Sequence, residues 1–312
     1  MTITQLNYVL AVAEHKNFTK AAEHSFVTQP TLSMQIQKLE DELGIKIFNR
    51  NKKPIELTQV GIKIVSQAKN IVNESDRISD IIDQEKGFIG GEYKIGIIPT
   101  IMPTLLPLFI KTFIQKYPKV NLKIKELTTK EIIKQLNEGQ LDAALAATPL
   151  EVENIIERPL YYEPFVGYIP KNHRLRELKN IDVSDLSLND LLLLEDGHCF
   201  RDGIINLCSA SKTNSFKRFK LESGSFETLT KLANEGLGMT LLPYLHSEKL
   251  DASDKNNLKQ FSDPKPAREV SLLHHKNELK IQITNALKST IDGVIRGAIA
   301  FQDVNIISPK RK

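Results

Sequence analysis

The sequence predicts an α/β chain in three parts: a small helix-rich N-terminal domain, a long linker helix, and a larger domain of two α/β lobes. Three observations carry that prediction. Short apolar patterns at helical spacing, each with start and stop signals, fill residues 1–58. From Gly61 to Ile82 apolar and small residues then recur at intervals of three and four. Beyond a glycine-rich hinge, strand-like and helix-like stretches alternate to the end. The boundaries expected are 1–58, 59–87 and 88–312, with lobe I over about 92–163 and 269–301 and lobe II over about 164–268.

Composition allows this organisation. The chain has 312 residues, 41% hydrophobic and 26% charged, which is ordinary for a globular protein with room for two or three units. No apolar run is long enough to cross a bilayer and no hydrophobic leader opens the chain, so the expected compartment is the reducing cytoplasm, with no membrane partner. The net charge of +4 does not by itself mark a nucleic-acid binder, because residues 1–66 hold eight Lys or Arg against six Asp or Glu. The local clusters Arg50-Asn51-Lys52-Lys53 and Lys310-Arg311-Lys312 say more.

In the N-terminal domain, Leu6, Val9, Leu10 and Ala13 repeat at helical spacing; Asn17-Phe18 breaks the pattern, and Thr19 can cap a second helix through Ala21-Ala22. After a turn at Ser25 to Val27, Thr28-Gln29-Pro30 opens a third helix with proline in its first turn, and Gly44 closes it. Leu32, Ile36, Leu39 and Leu43 share one face; Thr31, Met34, Gln37 and Lys38 face away, with Gln29, Ser33 and Gln35 on the flanks. Lys46-Ile47-Phe48 and Ile55 to Thr58 flank the basic cluster as a two-stranded wing, whose cations suit phosphates. Such a hairpin with hydroxyls and amides on its outer face suits base edges in a major groove, and it equally suits a protein-contact surface.

The linker, from about Thr58 to Lys86, would reach on the order of 40 Å. Its seam of Gly61, Ile64, Ala68, Ile71, Ser75, Ile78 and Ile82 suits pairing between two subunits, or packing of an amphipathic helix on its own domain. Gly87 to Gly91 is the hinge. After it come a strand at Tyr93 to Ile98, a helix through Leu105 to Tyr117, a strand at Val120 to Glu126, a helix to Asn137 and a strand at Leu141 to Ala147, a rhythm that predicts a mainly parallel sheet. A second unit of the same kind runs from Phe165 to Pro243, and Glu269 to His274 with a helix over Leu279 to Ile295 returns to the first. Ligands of such sheets sit beyond the strands' carboxyl ends, which directs attention to Pro99-Thr100, Thr128-Thr129 and the turn before Cys199.

The only two cysteines, Cys199 and Cys208, are nine positions apart. Cys199 lies within Glu195-Asp196-Gly197-His198-Cys199-Phe200-Arg201-Asp202, beside two groups, His198 and Arg201, able to stabilise a thiolate. Leu191 to Leu194 reads as a buried strand and Asp196-Gly197 as a turn. Arg201 to Ala210 reads as a short helix with Ile204, Ile205, Leu207 and Cys208 on its apolar side and Cys199 at its positive end. Nine helical residues rise roughly 13 Å at about 1.5 Å each, whereas a disulfide requires Cα atoms about 4.4 to 6.8 Å apart. Joining the sulfurs would therefore unwind the helix, and closing a loop of this size confers on the order of 3 kcal/mol in the chain-entropy view. Three readings stand: a redox pair whose oxidation refolds the segment, two unrelated buried thiols, or a metal site for which the spacing is wrong. A permanent disulfide does not suit the expected compartment.

Phe18-Thr19-x-Ala21-Ala22, followed by Val27-Thr28-Gln29-Pro30-Thr31-Leu32-Ser33-x-Gln35-Ile36-x-x-Leu39-Glu40-x-x-Leu43-Gly44-x-x-x-Phe48-x-Arg50, resembles the N-terminal domain of the LysR-type transcriptional regulators. The resemblance implies a winged helix-turn-helix whose third helix enters the major groove of double-stranded DNA. Gln29, Pro30, Thr31, Ser33 and Arg50 fall at matching contact positions, and Gln35, Lys38, Lys52 and Lys53 complete the candidate surface. It also implies a dimer through Ile64, Ala68, Ile71, Ile78 and Ile82, further assembly to a homotetramer, an interrupted inverted-repeat target, and activation together with RNA polymerase. The larger domain is similar to the two-lobed, periplasmic-binding-protein-like regulatory domain of that family.

Ile95-Gly96-Ile97-Ile98-Pro99-Thr100, Leu105-Leu106-Pro107 and the segment Glu195 to Asp202 with Cys208 are similar to the hydrogen-peroxide-sensing members. That likeness implies Cys199 as the peroxidatic thiol, Cys208 as the resolving thiol, a reversible disulfide between them, and a cytosolic thiol reductant. It implies a peroxide pocket of Thr100, Thr129, Gly197, His198, Arg201, Asp202 and Arg268. It calls for no cofactor and no metal, and the chain is expected to be no enzyme. Ile101-Met102 replaces a smaller pair, and the C-terminal tail has no clear counterpart. Alternatives at this level are a regulator of the same family answering a small-molecule effector in the inter-lobe cleft, and a thiol peroxidase, which would have no use for the N-terminal pattern. Thr100 can alternatively cap the helix after it, and His198 can be a surface imidazole.

Overall fold

The computed structural model describes residues 1–85, 88–208, 223–299 and 304–309, and divides into two compact units, Met1–Phe88 and Ile89–Lys312. The first holds α1 (Ile3–His15), α2 (Phe18–His24), α3 (Gln29–Leu43), the strands β1 (Phe48–Asn49) and β2 (Glu56–Leu57), and the long α4 (Gln59–Glu85). Each helix start has a local cause. Thr2 and Gln5 form a capping box on α1, and Thr28 caps α3 with a proline just inside. The α2 cap is Asn17, whose side chain accepts from the amides of Thr19 and Lys20, so Thr19 is inside the helix and not its cap. Leu32, Ile36 and Leu39 enter the core, whereas Leu43, expected on the same face, is exposed: the chain turns away at Gly44, whose φ of +68° suits glycine.

The α4 seam divides. Val65 and Ala68 are buried in the core of their own domain, with Ile64 and Ile71 packed against it. Gly61 lies so close to the wing that a Cβ would stand 2.1 Å from the Ile47 carbonyl oxygen. This corrects the expectation for Ala68, which is spent on the core of its own domain, while Ile64 and Ile71 are only half-buried against it. Further along, Ile78, Ile81 and Ile82 are exposed.

The second unit contains β3 (Gly91–Ile97), α5 (Met102–Lys116), β4 (Val120–Glu126), α6 (Thr129–Asn137), β5 (Ala143–Thr148), β6 (Ile155–Tyr168), α7 (Cys199–Leu207), α8 (Phe226–Asn234), β7 (Thr240–Pro243), the short α9 (Tyr244–Ser247) and α10 (Ala252–Lys255), β8 (Leu258–Lys259), β9 (Lys265–His275), α11 (Ile281–Ile295) and β10 (Val304–Ile306). The strand order is β4-β3-β5-β9-β6-β7, with β8 on β6 and β10 on β9. The expected mainly parallel sheet is mixed: β3–β4, β3–β5 and β9–β10 are parallel, but β5–β9, β6–β9, β6–β7 and β6–β8 are antiparallel. The reason is that β6 and β9 form one long antiparallel ribbon. Its near end joins β5, while Phe165–Tyr168 continues into pairing with β7 and β8.

Two apolar cores result. One gathers β3, β5, α5 and α11; the other gathers Phe165, Tyr168, Leu191, Leu194, Phe200, Ile204 and Met239. Leu191, Leu192 and Leu194 are buried and Leu193 is half-buried, but the segment makes only a single bridge, Leu191 to Met239, so the expected strand is absent. Thr240 donates its hydroxyl to the Leu192 carbonyl, and the Glu195 amide donates to Ser223, taking groups that a ladder would have used. The end of the expected helix at Ala210 and the basic tail Lys310 to Lys312 lie outside the described residues.

Candidate functional site

The helix α7 begins at Cys199 itself, two residues earlier than its spacing predicts, with His198 as N-cap residue and Cys208 as C-cap. Gly197, at φ +96°, turns the chain into it. Both thiols are free and buried, at opposite ends of one intact helix. They belong to different cores: Cys199 reaches into the first, with β3 and β5, while Phe200, Ile204, Leu207 and Cys208 pack in the second. Phe200 locks this arrangement edge-on to Phe165 and Phe226, at ring separations of 5.1 and 5.0 Å.

Around Cys199 the surroundings are polar. Burial pushes its thiol above the ordinary value. Against that push act the Arg268 guanidinium, the Thr129 hydroxyl and the Ala147 backbone amide, while Asp202 adds to it. Thr129 Oγ1 is buried and has no regular hydrogen-bond partner among the described residues, so its remaining capacity faces the sulfur. The cation at this thiol is Arg268, from a distant strand, which corrects the expectation that His198 and Arg201 stabilise the thiolate. Arg201 pairs with Asp196 at 2.9 Å and donates to the Leu194 carbonyl, holding the turn shut. His198 is buried, not a surface imidazole, and its Nε2 stands 3.5 Å from Glu195.

Arg268 is itself buried and spent on specific partners. Its Nε and Nη2 donate to one Glu163 oxygen at 2.9 and 2.7 Å. Its Nη1 donates to Thr100 Oγ1 at 2.9 Å and its Nη2 to the Thr100 carbonyl at 3.1 Å. Its guanidinium lies 5.3 Å from the Phe200 ring centre. Thr100 does not cap α5, where Ile101 is the N-cap residue with no side-chain bond. Because its hydroxyl oxygen accepts from Arg268, its own hydrogen is directed elsewhere. Glu163 and Arg268 are direct cross-strand partners in the β6–β9 ribbon, and the second Glu163 oxygen accepts the Leu245 amide at 2.9 Å. Glu163 was missed in the sequence. Its signal was legible as a lone carboxylate between Tyr161 and Phe165 on the buried face of a strand.

Cys208 differs. Burial pushes its thiol up to about 11, and no charge or donor among the described residues offsets it. The C-terminal strand closes over this part of α7: β10 extends β9 beside Arg268, Ile307 packs with the second core, and Asn206 donates to the Ser308 carbonyl at 3.0 Å. No group of three metal-ligating side chains occurs among the described residues, and no described helix is long and apolar enough to cross a membrane.

In the N-terminal unit, Gln29, Pro30, Thr31 and Lys38 are exposed on α3 and Lys53 on the wing. Several candidates are partly engaged within the domain, among them Thr31, whose hydroxyl bonds that of Thr28 at 2.8 Å. Gln35 accepts from Gln5, Lys52 pairs with Glu56 at 2.7 Å, and Arg50 donates to Ser33 and to buried Glu40 while lying over the Phe18 ring. Glu40, also missed, accepts the amides of Ile47 and Phe48 and so fixes the root of the wing on α3.

Family profiles match both units: the LysR substrate binding domain over residues 86–292, and the bacterial regulatory helix-turn-helix protein of the lysR family over residues 3–62. The hydrogen peroxide-inducible genes activator of Dickeya chrysanthemi is 36% identical over 274 residues, 88% of this chain and 89% of that one. The DNA-binding transcriptional dual regulator OxyR of Escherichia coli K12 is 34% identical over 297 residues, covering 94% and 97%. Among solved structures, a full-length OxyR of Pseudomonas aeruginosa with one cysteine replaced by aspartate is 32% identical, with a TM-score of 0.74 over 94% of this chain and 98% of that one. A Corynebacterium glutamicum OxyR cysteine mutant with hydrogen peroxide bound is 27% identical, with a TM-score of 0.64 over 98% of each chain.

Proposed function

Because the chain belongs to the LysR family of bacterial helix-turn-helix transcriptional regulators, we propose that it is a DNA-binding activator that senses hydrogen peroxide through Cys199 and Cys208. The observation that carries this reading is the setting of Cys199: a buried thiol at a helix N-terminus, faced by Arg268 and by the hydroxyl of Thr129, with the Thr100 hydroxyl on the same guanidinium. The thiolate sulfur attacks one peroxide oxygen; the S–O bond forms, the O–O bond breaks, and the other oxygen leaves as hydroxide, which takes a proton to become water. Arg268 and the hydroxyls stabilise the departing oxygen. Cys208 then attacks the sulfenic sulfur, releasing a second water and closing the disulfide. Gly197, His198, Arg201 and Asp202 shape and hold the entry to α7.

The sulfurs stand at opposite ends of α7, so the second step requires the helix to unwind. A cytosolic thiol reductant reverses it. The α3 surface with the wing contacts an interrupted inverted repeat as a dimer built on the exposed part of α4, assembled further to a tetramer, and the rearranged segment alters the footprint and the contact with RNA polymerase. Mass spectrometry after substoichiometric peroxide is expected to find an intramolecular Cys199–Cys208 link, together with a changed promoter footprint. Cys199→Ser should abolish both. Two free thiols after oxidation, with an effector-dependent footprint, would refute the reading.

A further inference from the structure

We propose that Glu163 is the positioning residue of the thiol site: it aims the Arg268 guanidinium and limits the positive charge that Cys199 feels. The inference rests on the peroxide reading for its biological meaning but not for its test. A guanidinium has five N–H groups. Four are placed: two on one Glu163 oxygen, one on the Thr100 hydroxyl oxygen and one on the Thr100 carbonyl. The fifth, on Nη1, meets no acceptor among the described residues and is the donor left for a peroxide oxygen or a thiolate.

What fixes its direction is the carboxylate. Glu163 sits directly across the ribbon from Arg268, is fully buried, and is held from its other side by the Leu245 amide, so it cannot swing away. Both its oxygens accept hydrogen bonds, as an ionised carboxylate does. A buried carboxylate beside a buried guanidinium also balances it electrically, so the field at Cys199 is that of an ion pair, weaker than that of a bare cation. The device trades thiolate population for aim.

The groups facing this site come from every neighbouring element. Cys199 meets Asp202 on α7, Thr129 on α6 and the Ala147 amide on β5. Arg268 also acts on the Tyr161 phenol of β6 and on His246 of α9, a histidine lowered by burial and by Lys249 and Arg268. None of the others is bonded to the guanidinium in the way Glu163 is.

The test uses the full-length protein in a Cys208→Ser background, so that Cys199 titrates alone. The pH dependence of Cys199 alkylation by iodoacetamide gives the midpoint of its ionisation, and stopped-flow oxidation by hydrogen peroxide above that midpoint gives the plateau rate. Glu163→Gln keeps the shape and removes the charge; the midpoint should fall by about one pH unit while the plateau rate falls at least about tenfold. Glu163→Asp keeps the charge but withdraws it by one methylene, so the midpoint should stay and the plateau fall. A Gln variant that matches its parent in both quantities, or whose midpoint rises, would overturn the proposal. Should the Gln variant fail to fold, an Asp variant with an unchanged plateau would overturn it equally. A parent thiol that ionises as described yet reacts with peroxide no faster than free cysteine would refute the peroxide reading and leave the titration to decide on Glu163.

Discussion

The two ends of α7 carry the same side chain, buried at both, in opposite chemical settings. At the N-terminal end Cys199 has a guanidinium, a hydroxyl and a backbone amide that favour its thiolate against burial. At the C-terminal end Cys208 has only hydrocarbon around it among the described residues, and its thiol rises to about 11. Burial raises both thiols, but only Cys199 has groups that oppose the rise where it stands; in the proposed mechanism Cys208 reacts only after leaving its core. Ordering of the two chemical steps follows from this difference alone. In the proposed mechanism attack by Cys208 waits for the helix to open, so a peroxide that has not yet oxidised Cys199 would find no second reactive sulfur.

The sharpest way to break the contrast is to strip Cys199 of its cation. Arg268→Met should slow oxidation by peroxide about a hundredfold and, by leaving Glu163 buried and unpaired, cost about 3 to 5 kcal/mol in urea unfolding. Oxidation at the parent rate would show that the thiol needs no cation. Next in size is the apolar end. Protonated Cys208 is the favoured form in the folded protein and ionises more readily once unfolded, so its contribution to stability is whole below the ordinary thiol range and is lost as pH rises through about 11. Thermal unfolding of the reduced protein should therefore decline over that alkaline window, and Cys208→Ala should decline less; identical profiles would count against the apolar setting. The smallest effect concerns what holds α7 closed. Ending the chain before Val304 removes the Asn206–Ser308 bond and the packing of Ile307. It should cost about 1 to 2 kcal/mol and speed disulfide closure a few-fold, read by quenched alkylation. An unchanged closure rate would separate the C-terminal strand from the switch.

The two units also differ in how far their sequence could be read. In the N-terminal unit, caps, proline and glycine at helix ends and the apolar spacing of α3 gave nearly every element, because each is decided within one or two turns. One error was a cap misplaced by two residues, Thr19 for Asn17; the others were of one kind, Leu43 counted as core and Ala68 assigned to a partner subunit when it fills its own domain. Periodicity shows that a face is buried but not against what. In the second unit the strands β3, β4 and β5 were legible, while the antiparallel ribbon of β6 and β9 was not, since pairing between residues a hundred positions apart leaves no local mark.

By itself, the sequence determined the domain order, the helix-turn-helix with its exposed polar face, the identity and spacing of the two sulfurs, and the helix that keeps them apart. Resemblance had placed Arg268 in the pocket, but only the tertiary structure decided that it, and not His198 or Arg201, is the cation facing Cys199, which carboxylate holds it, and that the two thiols lie in separate cores. The physical reason is that thiol reactivity is an electrostatic property acting through space. His198 and Arg201 are neighbours along the chain, but β9 brings Arg268 to the sulfur and β6 brings Glu163 to Arg268.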